Sequence, residues 1–254
     1  MSLLEMTVVL LAGVAAGTIN TVVGSGTLVT FPTLLAFGVP PVTANVSNNI
    51  GLFPGSVSGA VGYRRELAGQ RRRILVLGSA SLLGGVAGAV LLLVLPDEAF
   101  RSVVPVLIGL GVVLVALQPR IKTWVSARAV PDRATPAHGS WWVWVLVLLT
   151  GVYGGYFGAA QGVLLMAVLG IGLHETMQRN NAAKNVLAAT VNGVAAVVFV
   201  VVAEVDWTIV ALLAAGSVVG GQIGAGVGRR LPPALLRGVI IVVGTIALVS
   251  FVLQ

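Results

Sequence analysis

The chain has 254 residues, of which 57% are hydrophobic and 9% charged, with 33 glycines, no cysteine and a formal net charge of +7. A soluble domain carries about 25% charged residues, so this chain cannot solvate a globular surface and reads as an all-α, polytopic membrane protein. The absence of cysteine excludes disulfides, thiolate metal sites and cysteine catalysis, and in a bilayer protein the positive excess points to cytoplasmic loops rather than to nucleic acid.

Residues 6–63, 74–96, 102–119, 185–203, 207–228 and 238–254 contain no Asp, Glu, Lys or Arg. A hydrocarbon core about 30 Å thick needs roughly 20 apolar residues of helix, and most of these runs supply them. Residues 1–11 hold Glu5 and no base, unlike the basic start of a secretory signal, and read as the first span. Elements are expected at residues 3–23, 25–39, 42–63, 74–95 and 102–118, then at 141–159, 161–173, 183–203, 208–228 and 238–253. The segments 25–39 and 161–173 are short for a span, so each pairs with its predecessor as a Gly-broken hairpin that crosses or re-enters. Residues 119–140 are rich in Pro and charge and read as a cytoplasmic linker. Trp141, Trp142 and Trp144 then form an interfacial aromatic belt.

The chain repeats itself. At an offset of 136, residues 26–118 align with 162–254 without a gap and share 20 identities in 93 pairs. Gly84, Gly85, Gly88 and Ala89 fall on Gly220, Gly221, Gly224 and Ala225, and Leu95, Pro96 and Arg101 fall on Leu231, Pro232 and Arg237. A shared register of this kind indicates two repeats, residues 1–118 and 141–254, joined by the linker. Inverting the second repeat places 14 of the 15 Lys and Arg residues on the cytoplasmic side, including Arg64, Arg65, Arg71, Arg72, Arg73, Arg133, Arg229 and Arg230, and leaves only Arg101 outside. A parallel arrangement divides them about nine to six, so basic-residue bias favours inversion, with both chain ends outside.

Polar chemistry interrupts the spans in two places. The first runs Gly17-Thr-Ile-Asn20-Thr-Val-Val-Gly24-Ser25-Gly26, followed by Asn45, Asn48 and Asn49. The second runs Gly151-Val-Tyr153-Gly154-Gly155-Tyr156-Phe157-Gly158-Ala-Ala-Gln161-Gly162, followed by Asn180, Asn181, Lys184 and Asn185. Backbone leaves the helix at membrane depth only where protein or a cavity surrounds it, and broken helices at matching places in inverted halves point to a transport site. Helix N-termini there suit an anion. Candidate binding residues are therefore Asn20, Gly24, Ser25, Gly26, Asn45 and Asn49 from one half, with Gly158, Gln161, Gly162, Asn181, Lys184 and Asn185 from the other. Their backbone N–H groups and side-chain amides are expected to replace the anion's water.

Each feature also has a plainer reading. The asparagine pairs 45/49 and 181/185 each share a helix face and serve either substrate or helix-helix hydrogen bonds. Lys184 is either a snorkelling loop charge or the partner of a bound anion. The 84/85/88 and 220/221/224 glycines read as packing faces. All eight acids fall at expected ends or loops, which disfavours cation transport and proton relay. His138 and His174 lack a ligand cluster, so no metal and no other cofactor is expected. There is no phosphate loop, and Ser25 lacks a nearby base, so the chain does not read as an enzyme.

Asn20-Thr-Val-Val-Gly24-Ser-Gly26-Thr-Leu-Val-Thr-Phe31-Pro32, Ala44-Asn45, Tyr153-Gly154-Gly155-Tyr156-Phe157-Gly158, Asn180-Asn181-Ala-Ala-Lys184-Asn185 and Val205-Asp206-Trp207 together resemble the TauE/SafE sulfite exporters, also called four-toluene-sulfonate uptake permeases. The resemblance covers nearly the whole chain. It implies a permease for sulfite or small organosulfonates in a bacterial plasma membrane. The family's run of consecutive glycines is thinned here to Gly24-Ser25-Gly26 and Ala160-Gln161-Gly162, and Ala167-Val168 stands where the family often has Pro.

The expectation is thus a polytopic bundle of two inverted repeats with Gly-broken hairpin helices that moves a small anion by alternating access. Its partners are the anion and the lipid bilayer, with a homodimer left open. The competing class is a membrane scaffold or assembly subunit that transports nothing.

Overall fold

The computed structural model describes residues 1–128, 138–173, 175–226 and 233–252, and among these there are ten helices and no strand. They are α1 (Leu3–Val22), α2 (Thr27–Ala36), α3 (Pro41–Gly62), α4 (Arg71–Val94), α5 (Asp97–Arg128), α6 (Trp141–Tyr156), α7 (Gln161–Gly172), α8 (Met177–Val202), α9 (Trp207–Gly226) and α10 (Pro233–Val252). Five of them, α1, α4, α5, α8 and α9, are long and apolar enough to cross a membrane. Leu83, Val94, Val106 and Val201 point outward from such helices, as expected of a surface whose solvent is lipid. Trp141 stands exposed at the start of α6, where an anchor at the membrane boundary belongs.

The two largest departures from the expected helix boundaries are in α8 and α5. Helix α8 begins at Met177 rather than near residue 183, because the Thr176 hydroxyl accepts the Arg179 N–H as an N-cap and the polar residues that follow, Asn180, Asn181, Lys184 and Asn185, are buried in protein. Hydropathy alone cannot see a span whose opening turns are polar. Helix α5 continues through Pro119 to Arg128, so residues 119–128 of the expected linker are helical. Pro119 removes one backbone donor without ending the helix, and its carbonyl accepts the Thr123 hydroxyl at 2.6 Å. The rest of the linker through residue 137, including Asp132 and Arg133, lies outside the described residues, as do His174, Arg229 and Arg230.

Contacts between the first five helices and the last five organise the packing. Helix α9 lies against α1 and α4 against α6, so the fourth helix of each set of five holds the first helix of the other. The paired glycines make this possible. A Cβ on Gly84 or Gly88 would overlap the carbonyls of Leu148 or Val152 on α6, and one on Gly220 would overlap the carbonyl of Val14 on α1. The packing reading of these glycines therefore holds, and the close approach lets the Thr18 hydroxyl donate to the Gly220 carbonyl at 3.1 Å.

Directions follow from the same contacts. Helices α1 and α3 both run along α9 in its own sense, as the neighbours Gly13–Leu213 and Gly17–Ser217, and Gly51–Leu213 and Gly62–Ala225, show. The α1–α2 hairpin therefore starts and finishes on one face. Helices α3 and α8 run oppositely: Ser47 meets Asp206, Ser56 meets Asn192, and Gln70 just beyond α3 meets Arg179 near the start of α8. Helices α5 and α10 are likewise opposed, with Gly109 beside Leu248 and Gly244 beside Val112.

On the face where α3 ends and α8 begins, charges join the start of α4 to the start of α8. Glu175 pairs with Arg73 at 3.1 Å and with Arg179 at 2.7 Å, and Arg73 also donates to Gln70 at 2.6 Å. Burial pushes the Glu175 carboxyl up, but the hydrogen bond from Arg179 and the charge of Arg73 outweigh it and hold the group below its ordinary range. A depressed carboxylate contributes stability that is complete above its unfolded pKa and is lost as pH falls through the folded one. In detergent at neutral pH, Glu175→Gln should cost roughly 1 kcal/mol, a melting-temperature loss of about 2–4 °C for a chain this size. The deficit relative to wild type should vanish on acidification below the ordinary carboxylate range. A constant deficit at every pH would assign the loss to packing instead.

Candidate functional site

The two hairpins are broken at their tips by local backbone chemistry. Gly24 adopts φ +91° between α1 and α2, and Ala160, its equivalent at the offset of 136, adopts φ +61° between α6 and α7. The tips meet in the centre of the molecule, where the Gly162 N–H donates to the Gly24 carbonyl at 2.9 Å. An aromatic cluster seats the second tip: Phe157 packs edge-on against Phe31 of α2 and Phe100 of α5, and Tyr156 packs on Phe100.

Breaking α1 and α6 leaves carbonyls without helical partners, and each is capped from the opposite repeat. Asn45 of α3 donates to the Tyr156 carbonyl at the end of α6 at 2.8 Å. Its repeat equivalent, Asn181 of α8, donates to the Thr21 carbonyl at the end of α1 at 3.1 Å. Lys184 adds an ammonium there, 2.9 Å from the Asn20 carbonyl and 3.2 Å from that of Thr21, and Asn185 donates to Thr21 at 3.4 Å. Lys184 is only 1% exposed, so it is not a snorkelling loop charge. It sits at the negative end of the α1 dipole, where a cation is stabilised. Two of its three hydrogens are used on these carbonyls, which leaves one for another partner.

Between the tips and the α3/α8 crossing lies a cavity. Of the sequence candidates, Asn20, Gly24 and Asn49 line it from the first repeat, and Gly158, Gln161, Gly162, Lys184 and Asn185 from the second. Asn45 and Asn181 do not line it; their amides go to the hairpin carbonyls. Ser25 is fully buried beside it, and Gly26 lets the second helix press on the Ala16 carbonyl. The expectation of free backbone N–H groups holds least well: Gly26 N–H is taken by the Asn20 side chain at 2.6 Å and Gly162 N–H by Gly24. The first turns of α2 and α7 still point their positive ends at the cavity through Thr27 and Gln161.

The sequence reading left out Thr21, Thr27, Asn48, Leu52, Ser56, Phe157, Ala188 and Asn192, which also line the cavity. A signal for several of them was present. Asn48, Leu52 and Ser56 recur every four residues on α3, as Lys184, Ala188 and Asn192 do on α8, and the two stripes are equivalent at the offset of 136. The space admits water-sized groups over about 30 Å³, against the 10–15 Å³ that one water needs, so it suits a solute of a few heavy atoms. Among the lining residues there is one cation and no carboxylate.

The family model "Sulfite exporter TauE/SafE" matches residues 9–251. The chain belongs to the TauE/SafE sulfite exporter family. A "Probable membrane transporter protein ORF9" of Sinorhizobium sp. is 28% identical over 84% of this chain and 79% of its own length. "Probable membrane transporter protein YfcA" of Escherichia coli K12 is 23% identical over 91% of the chain and 83% of its own. A "Probable membrane transporter protein" of Haemophilus influenzae is also 23% identical, over 91% and 88%. No solved structure matches the chain. Membership in the TauE/SafE family, together with the five apolar spans, makes this protein a multi-pass membrane transporter.

Proposed function

We propose that the protein is a permease for a small anion of the sulfite or organosulfonate class, in a bacterial inner membrane, working by alternating access between two inverted halves. The observation that carries this reading is the central cavity, formed jointly by both repeats, with a buried ammonium and several amides on its wall and no carboxylate. Opposed directions of α3 and α8, and of α5 and α10, support inversion, and the basic-residue bias supports the orientation. The family's printed description supports the substrate class.

In this reading Lys184 supplies the charge, while Asn20, Asn49, Gln161 and Asn185 replace water around the anion and Gly24, Gly158 and Gly162 let backbone approach it. Asn45 and Asn181 hold the broken helices in place. The size of the space favours an anion with the bulk of sulfite in this conformation, and a longer sulfonate requires the halves to part.

Two measurements test it. Flux assayed in vesicles across sulfite, sulfoacetate, taurine and sulfate should reveal transport of at least one sulfur oxyanion, dependent on the protein. The same ligand should raise the melting temperature of purified protein, since binding to the folded state alone adds about 2.7 kcal/mol at a hundredfold excess over Kd. A protein that neither moves nor is stabilised by any of the four is not this permease, and the amides and glycines then serve helix packing in a scaffold.

A further inference from the structure

Asn48 and Lys184 hold equivalent places in the two repeats, yet one is neutral and the other a cation. Their positions relative to the centre are fixed by another equivalent pair. Asn192 donates to Ser56 at 3.2 Å, which marks the crossing of α3 and α8. Asn48 precedes Ser56 by eight residues and Lys184 precedes Asn192 by eight, about 12 Å along each helix at 1.5 Å per residue. Because α3 and α8 run oppositely, the two residues lie on opposite sides of the crossing while lining one cavity.

The two ends differ in what they offer an anion. At the end toward the Arg73–Glu175–Arg179 cluster stands the Lys184 ammonium, with a hydrogen to spare beyond the Asn20 and Thr21 carbonyls. Toward the other face, the Asn48 carbonyl oxygen is bound by the Thr30 hydroxyl and its amide donates to Thr27 at 3.4 Å, so that end carries dipoles and no charge. A charge-assisted hydrogen bond is roughly twice as strong as a neutral one, and an anion crossing the cavity meets the two kinds in sequence.

We propose that the cavity binds its anion off-centre, at a charged station on Lys184 and an uncharged station at Asn48, so that the two faces of the protein present different apparent affinities. This rests on the anion-permease reading above.

The test is sided sulfite flux in right-side-out and inside-out vesicles. KM measured from the face bearing the Arg73–Glu175–Arg179 cluster should be about tenfold lower than KM from the other. Lys184→Asn should bring the two values together, Lys184→Arg should keep them apart, and the exchange N48K/K184N should reverse their order. Equal values in wild type overturn the proposal, as does an unchanged ratio in Lys184→Asn. Should the exchanged protein fail to reach the membrane, the wild-type ratio and the two single variants decide the matter. Sulfite flux with equal KM on both faces removes only the off-centre stations, whereas absence of any anion flux removes the permease reading with them.

Discussion

Gly24→Ala is expected to abolish transport and to destabilise the protein by about 2–5 kcal/mol, as two independent costs add. Gly24 sits at φ +91°, where a Cβ strains the backbone by roughly 1–2 kcal/mol. That Cβ would also overlap the Cα of Gly162, and backbone, unlike a flexible side chain, cannot swing aside. Relief requires the hairpin tips to separate, which breaks the Gly162–Gly24 hydrogen bond and opens the wall of the cavity. Gly38→Ala is the control. Gly38 has φ +76° but nothing within 4 Å of an added Cβ, so only the conformational cost remains. Melting temperatures of the two variants, read beside flux, separate strain from collision. If Gly24→Ala melts and transports like Gly38→Ala, the tips are not locked together.

Lys184→Ala should lower flux at subsaturating anion by more than tenfold, with a smaller loss of stability. Removing one partner of a buried charged contact typically costs 2 kcal/mol or more, about thirtyfold in affinity. The structural cost is limited because the Thr21 carbonyl keeps the amides of Asn181 and Asn185, and only the Asn20 carbonyl loses its ammonium donor. Asn181→Ala is the informative comparison, since it uncaps the same helix end without touching the cavity wall. Should both variants lose flux and melting temperature in the same proportion, Lys184 serves α1 alone. A raised KM confined to Lys184→Ala identifies it as the anion's partner.

Much of the scaffold was legible because membrane helices are written in composition. Runs free of charge gave the spans, Gly24 and the Gly-Gly-Tyr-Phe-Gly segment gave the breaks, and the register of 136 gave the paired glycines that turned out to touch helix backbone. Where helices begin was less visible. The buried polar turn from Asn180 to Lys184 looks like a loop until one sees that α1 ends against it, with carbonyls that require donors. The site was legible as a neighbourhood rather than as a set of contacts. Four-residue spacing showed that Asn45 and Asn49 share a face, yet the first caps α6 while the second reaches the cavity, a difference set by which helix lies opposite. Ser56 and Asn192 look unremarkable alone, and gain meaning only from their equivalence across the repeat.

The seating of α1 on α9 and of α6 on α4 bears on how such a molecule is made. When residues 1–118 have left the ribosome, α1 still lacks the surface that its small residues fit: the backbone of Gly216 and Gly220, some 200 positions further along, is what Val14 and Thr18 will lie against. Each portion completes its packing only against the other, so assembly is expected to finish when the last spans enter the bilayer, and a polypeptide cut short after α8 leaves uncovered the face of α1 that α9 would occupy. Quality-control proteases of the membrane would meet every truncated product in that unfinished state, which makes completeness of synthesis itself the condition for assembling the pathway at the centre.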